Sequence, residues 1–182
     1  MLDAIRTLYA YNRWANGRLL DAAATIDPAR FVAAEAGEPS IRDTLVHIAA
    51  AQELWRRRWL GESPTQRWEP VEFPDVASLR RRWEREEDAG AAFIDQLRAA
   101  DLDRIVAYRN QRGEPWAYPL WQQMLHQANH AQQHRSEAAL LLTRAGASPG
   151  QLDLLVYVDE GNTPAGLTAR PARGEQREET RP

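Results

Sequence analysis

The chain has 182 residues, a formal charge of −3 and no cysteine. The length suits one domain with a real core, and the acidic balance disfavours nucleic-acid binding. Disulfides, thiolate metal sites and cysteine nucleophiles are excluded, and so is lysine chemistry, because all 23 basic residues are arginine.

The opening stretch is broken by Asp3, Arg6 and Arg13, so it does not read as a signal peptide. No apolar run reaches the roughly 18–20 residues of a membrane span. A cytoplasmic protein with no membrane partner is expected. Leu2, Ile5, Tyr9, Ala15 and Leu19 recur at three/four spacing and predict an amphipathic helix over 2–25, closed by Asp27-Pro28. Asn12 and Asn16 fall on or beside its apolar face, where polar groups need partners. A loop follows. Ser40 is a good N-cap for a second helix, with Asp43 in capping-box position, and the helix runs to Trp59-Leu60 and stops at Gly61. His47 lies beside its apolar stripe. Residues 61–74 carry three prolines and predict irregular chain, with Trp68 and Phe73 folding back onto something apolar.

A third helix is predicted over 75–100, with Leu79, Trp83, Ala91, Ile94 and Leu97 buried. Its charge run from Arg80 to Asp88 reads as a solvated face. Residues 104–118 alternate and then meet Asn-Gln-Arg-Gly, which predicts a small hairpin or extended excursion before the last long helix. Pro119 opens a long helix that ends at Gly146. A short last helix over 149–159 would pack through Leu152, Leu155 and Val156. From Thr163 the chain has little to bury and reads as disordered tail. The division expected is therefore a helical domain over 1–162 and a tail over 163–182.

The long helix holds three of the four histidines: His126, His130 and His134. A four-residue step advances about 400°, so each is one turn from the next on nearly the same face. Neighbours can close on one metal ion. His126 and His134 cannot, being about 12 Å apart along the axis. One adjacent pair therefore needs a ligand from elsewhere, and His47 is the only other histidine. Spacing alone leaves the pair open. A zincin needs Glu after its first histidine, but Gln127 and Ala131 stand there. The di-iron bundles need Glu-x-x-His, which is absent as well. A three-histidine site with open positions remains, and neutral imidazoles suit Zn, Ni, Cu or Fe(II).

These residues resemble the DinB/YfiT-like family of metalloenzymes. The likeness covers about residues 5–160 and rests on YNRWANGRLL, on SIRDTLVHIAAAQELWRRRWLG, and on HQANHAQQHRSEAALLLTRAG followed by LDLLVYVDE. It implies an all-α four-helix bundle with a left-handed crossover. It also implies one divalent ion, zinc or nickel foremost, held by His47, His130 and His134, with His126 beside the site. Many members are homodimers. Characterised relatives include thiol-dependent transferases and isomerases acting on small molecules in stress or detoxification, with a low-molecular-weight thiol such as bacillithiol or mycothiol. The runner-up is metal-assisted hydrolysis, which needs a carboxylate near the ion; Glu137 and Asp43 are the nearest. A third possibility is a non-catalytic metal-binding stress protein.

Overall fold

The computed structural model describes residues 1–34 and 37–162. The tail expected from Thr163 lies outside the described residues. Four long helices carry the fold: α1 (Leu2–Ala23), α3 (Ile41–Trp59), α4 (Val76–Asp95) and α5 (Leu120–Arg144). Helix α1 packs on α4 and α5, and α3 does the same, so each long helix touches two others across one core. The architecture is all-α, as expected. The one sheet among the described residues is the expected hairpin, β1 (Ile105–Arg109) antiparallel to β2 (Pro115–Pro119), with Val106 opposite Tyr118. Gln123 of α5 fastens it, its Nε2 donating to the carbonyls of Val106 and Tyr118 at 2.8 and 3.1 Å.

Local chemistry explains the boundaries. Ser40 Oγ accepts from the Asp43 amide at 3.0 Å and starts α3. Its capping-box partner does not reciprocate, because the Asp43 carboxylate accepts instead from Arg42 Nε at 3.1 Å. Asp75 and Ser78 make the reciprocal box that starts α4. Asp27-Pro28 does end α1, but it also begins a helix. Asp27 accepts from the Ala29 amide at 2.7 Å and caps the five-residue α2 (Pro28–Val32), with Pro28 where a proline costs nothing. Helix α2 buries Phe31 in the core.

The core below the histidines is formed by Leu19, Leu45, Ile48, Leu79, Trp83 and Leu142. Trp68 and Phe73 return from the proline-rich loop and join it, their centroids 5.5 Å apart. A second cluster, with Ile5, Trp59, Ile94 and Leu120, lies toward the hairpin.

Three expectations are corrected. The charge run on α4 is not wholly solvated, since Glu86 and Glu87 are buried. Arg56 grips Glu86 through Nε and Nη2 at 2.6 and 2.7 Å, and Asn16 Nδ2 donates to Glu87 at 2.9 Å. Helix α4 ends at Asp95 rather than near residue 100, and Ala91 within it is exposed because the buried arc runs through Leu79, Trp83, Gly90 and Ile94 instead. The last helical segment starts late: α6 is Leu154–Tyr157 and runs straight into a π-helical turn over Val158–Asn162. It buries Tyr157 against Tyr11 and Ala15, whereas Leu155 points outward at 71% exposure.

Candidate metal centre

His47 lies in the second turn of α3, and the histidine row runs along α5, the helix with which α3 makes its broadest contact. Small residues of both helices, Ala49 and Ala50 of α3 and Ala131 of α5, are buried in one core cluster here. Small side chains bring the backbones close enough for imidazoles on the flanks to meet. His47 Nε2 lies 3.1 Å from His130 Nε2. The His134 ring is 4.4 Å from that of His47 and 4.5 Å from that of His130, centroid to centroid.

One nitrogen from each of His47, His130 and His134 falls within 4.8 Å of the other two. Bonds of about 2.0–2.1 Å at tetrahedral angles place donors about 3.3 Å apart, so rotations moving ring nitrogens by about an ångström bring all three onto one ion. The geometry thus brings together the three residues that the resemblance implied. His126 is not among them. It is exposed, packs edge-on to Trp55 at 5.0 Å, and stacks 6.1 Å from His130.

The electrostatics suit a cation. Burial, then the neighbouring His134, His47 and His126 rings, lowers the His130 imidazole to about 4. Burial also lowers His47, helped by His134 and Arg67 and opposed by Glu137. Both rings are neutral at pH 7, the form that binds a metal. His134 Nδ1 lies 2.6 Å from Glu137 Oε2. A carboxylate there holds the proton on Nδ1 and leaves Nε2 as the ligand, as outer carboxylates do around metal-binding histidines.

Glu137 therefore faces a histidine ring, and Asp43 is paired with Arg42 at 3.1 Å. A cavity of about 330 Å³ opens beside the histidines, and His47, His126 and His130 form part of its wall.

Behind the row, Arg135 is almost fully buried. It donates to Asn12 Oδ1 at 2.7 Å and Gln132 Oε1 at 2.9 Å, and its guanidinium lies 5.2 Å from the Tyr11 ring centroid. Asn16 thus meets Glu87 and Asn12 Oδ1 meets Arg135, while Asn12 Nδ2 is buried without a partner among the described residues. In the sequence Arg135 stands out only as the last residue of the His-x-x-x-His-Arg stretch; its burial against Asn12 and Tyr11 depends on contacts from α1 that spacing does not show.

Fold and site together define an all-α protein with a three-histidine cluster that could hold a divalent ion. A family model described as the DinB family matches residues 1–167, and the chain belongs to that family. No curated protein matches it. No helix of the described residues is long and apolar enough to cross a membrane.

Proposed function

We propose that the protein is a divalent-metal-dependent enzyme that uses a low-molecular-weight thiol to transfer to, or isomerise, a small electrophilic substrate. The observation that carries this is the convergence of His47, His130 and His134 beside a cavity that His47 and His130 help to wall and that, among the described residues, no carboxylate lines. A bound zinc or nickel ion would supply Lewis acidity, lowering the pKa of a thiol or a water. His47, His130 and His134 would hold it, and Glu137 would orient His134. His126 and Trp55 would wall the space where substrate enters.

Hydrolysis is the second reading. It needs a general base within hydrogen-bond reach of the water. Glu137 and Asp43, the nearest sequence candidates, are turned to His134 and Arg42, which favours the thiol reading. A non-catalytic metal-binding protein is the third. The homodimer and the stress-related role belong to the same proposal, on family likeness alone.

The first test is metal content of the purified protein, with His130→Ala and His134→Ala beside it; loss of metal in both is expected. The second is a conjugation screen of several cellular thiols against an electrophile. Metal retained with hydrolysis but no thiol turnover would replace the thiol reading by the hydrolytic one, and metal retained with neither would leave the binding protein.

A further inference from the structure

Arg58 is a buried cation that no histidine role explains. It is 5% exposed, and among the described residues no acceptor bonds its guanidinium; its Nε is buried without a partner. Two aromatic rings hold it in place: its Cζ lies 4.6 Å from the Trp55 centroid and 4.2 Å from that of Tyr108. Such stacking orients a guanidinium without using its fork of donors.

Helical phase decides where that fork is presented. Arg58 follows His47 by eleven residues on α3, about 20° of phase and about 16 Å along the axis. The two therefore share a face, and the backward tilt of helical side chains carries the Arg58 head toward His47. Both residues line the same cavity, with Ala51 and Leu54 on the wall between them. Arg67 and Arg112, both exposed, line it too. The described wall thus carries three arginines and no acidic residue. An unpaired buried charge is costly unless something neutralises it.

We propose that the cavity holds an anion subsite built on Arg58, with Arg67 and Arg112 at its rim, that binds the carboxylate or phosphate of a small elongated organic molecule. The molecule's apolar middle lies over Ala51 and Leu54, and its reacting end is directed to His47 and His130. This names the class of ligand for the enzyme proposed above. The direction of the reacting end rests on that reading, whereas the anion subsite stands on Arg58 and the cavity.

The test uses the full chain freed of metal, with hexanoate, hexyl phosphate and hexanol as probes in ligand-observed NMR titrations. One or both anions should bind about tenfold or more tighter than the alcohol, as charge-assisted hydrogen bonds in a buried site imply. The preference should weaken as sodium chloride is raised. Whichever anion is preferred identifies the headgroup. Arg58→Gln should abolish the preference. Arg67→Ala with Arg112→Ala, both at exposed positions, should reduce it several-fold even if Arg58→Gln misfolds. Equal binding of alcohol and anions by the native chain overturns the subsite. So does a preference that survives in folded Arg58→Gln, or one untouched by the rim pair. Zinc uptake is measured separately, so anion preference without zinc uptake sinks only the metal reading, and zinc uptake without anion preference sinks only the subsite.

Discussion

Glu137 is the carboxylate on which the metal reading can be tested without touching a ligand. It lies 2.6 Å from His134 Nδ1 and is 46% exposed at the side chain. Removing an outer carboxylate of this kind costs about 10–100-fold in metal affinity. Solvent screens a half-exposed pair, which places Glu137→Ala at the low end, about tenfold, or about 1.4 kcal/mol. Glu137→Gln keeps a neutral acceptor on Nδ1 and should lose less than the alanine variant. Zinc competition against a chromophoric chelator at pH 7.5 reads both. Thermal melts of the metal-free variants should match the native chain, because the pair is near the surface. If Glu137→Ala binds zinc as tightly as the native protein, Glu137 does not orient a ligand, and the assignment of Nε2 of His134 to the ion fails with it.

The buried network predicts a pH dependence of stability. Burial raises Glu87 to about 7, against smaller opposing effects of the Asn16 hydrogen bond and Arg13. Raised from the ordinary 4.5, the carboxyl favours folding in its protonated form. That stability is fully present below about pH 4.5 and is lost as pH rises through about 7, to the extent of about 3 kcal/mol. Glu87→Gln should therefore be more stable than the native chain at pH 8 and close to it at pH 4, as read by urea denaturation; equal stability at pH 8 would contradict the burial argument. Arg135→Met replaces the buried guanidinium by an apolar chain and leaves Asn12 Oδ1 without its donor, so it should lose about 1–3 kcal/mol, checked by the same unfolding. Ser40→Ala removes the cap that starts α3 and should lose about 1 kcal/mol, read from the thermal midpoint.

The long helices were legible because their evidence is local. Ser40 caps α3, Asp75 caps α4, and Gly146 takes the left-handed turn after α5 with φ of 85°. A site joining His47 to one adjacent pair of the row is legible because a four-residue repeat can supply two ligands at most and the chain contains one further histidine; the choice of His130 and His134 comes from the family resemblance. What failed to show was whatever depends on which long charged side chain meets which. Glu86 and Glu87 look like their solvated neighbours until Arg56 and Asn16 face them from α3 and α1. Arg58 is one of three consecutive arginines, of which Arg57 pairs with Glu62 and Arg56 with Glu86. Only its phase with His47 distinguishes it. Asp27-Pro28 reads as a stop in the sequence because a proline after a capping residue ends one helix and starts another with the same letters.

The polar groups around α5 answer a problem that its own sequence creates. Between Met124 and Leu142 the apolar residues of its buried face are all alanine: Ala128, Ala131 and Ala138. Alanines allow close approach of α3 and hence the meeting of His47 with His130, but a smooth face of small side chains sets rotation and register weakly. Hydrogen bonds are directional where alanine contacts are not. Gln123 ties the start of α5 to both hairpin strands, and Arg135 ties its middle to Asn12 of α1. Between those two points lie His126, His130 and His134. A slip of one residue along the helix would turn the row by about 100° and lift it away from α3. The buried polar contacts therefore matter less for their net stabilisation, which buried charges rarely supply, than for holding two histidines of α5 where a third, from α3, can reach them.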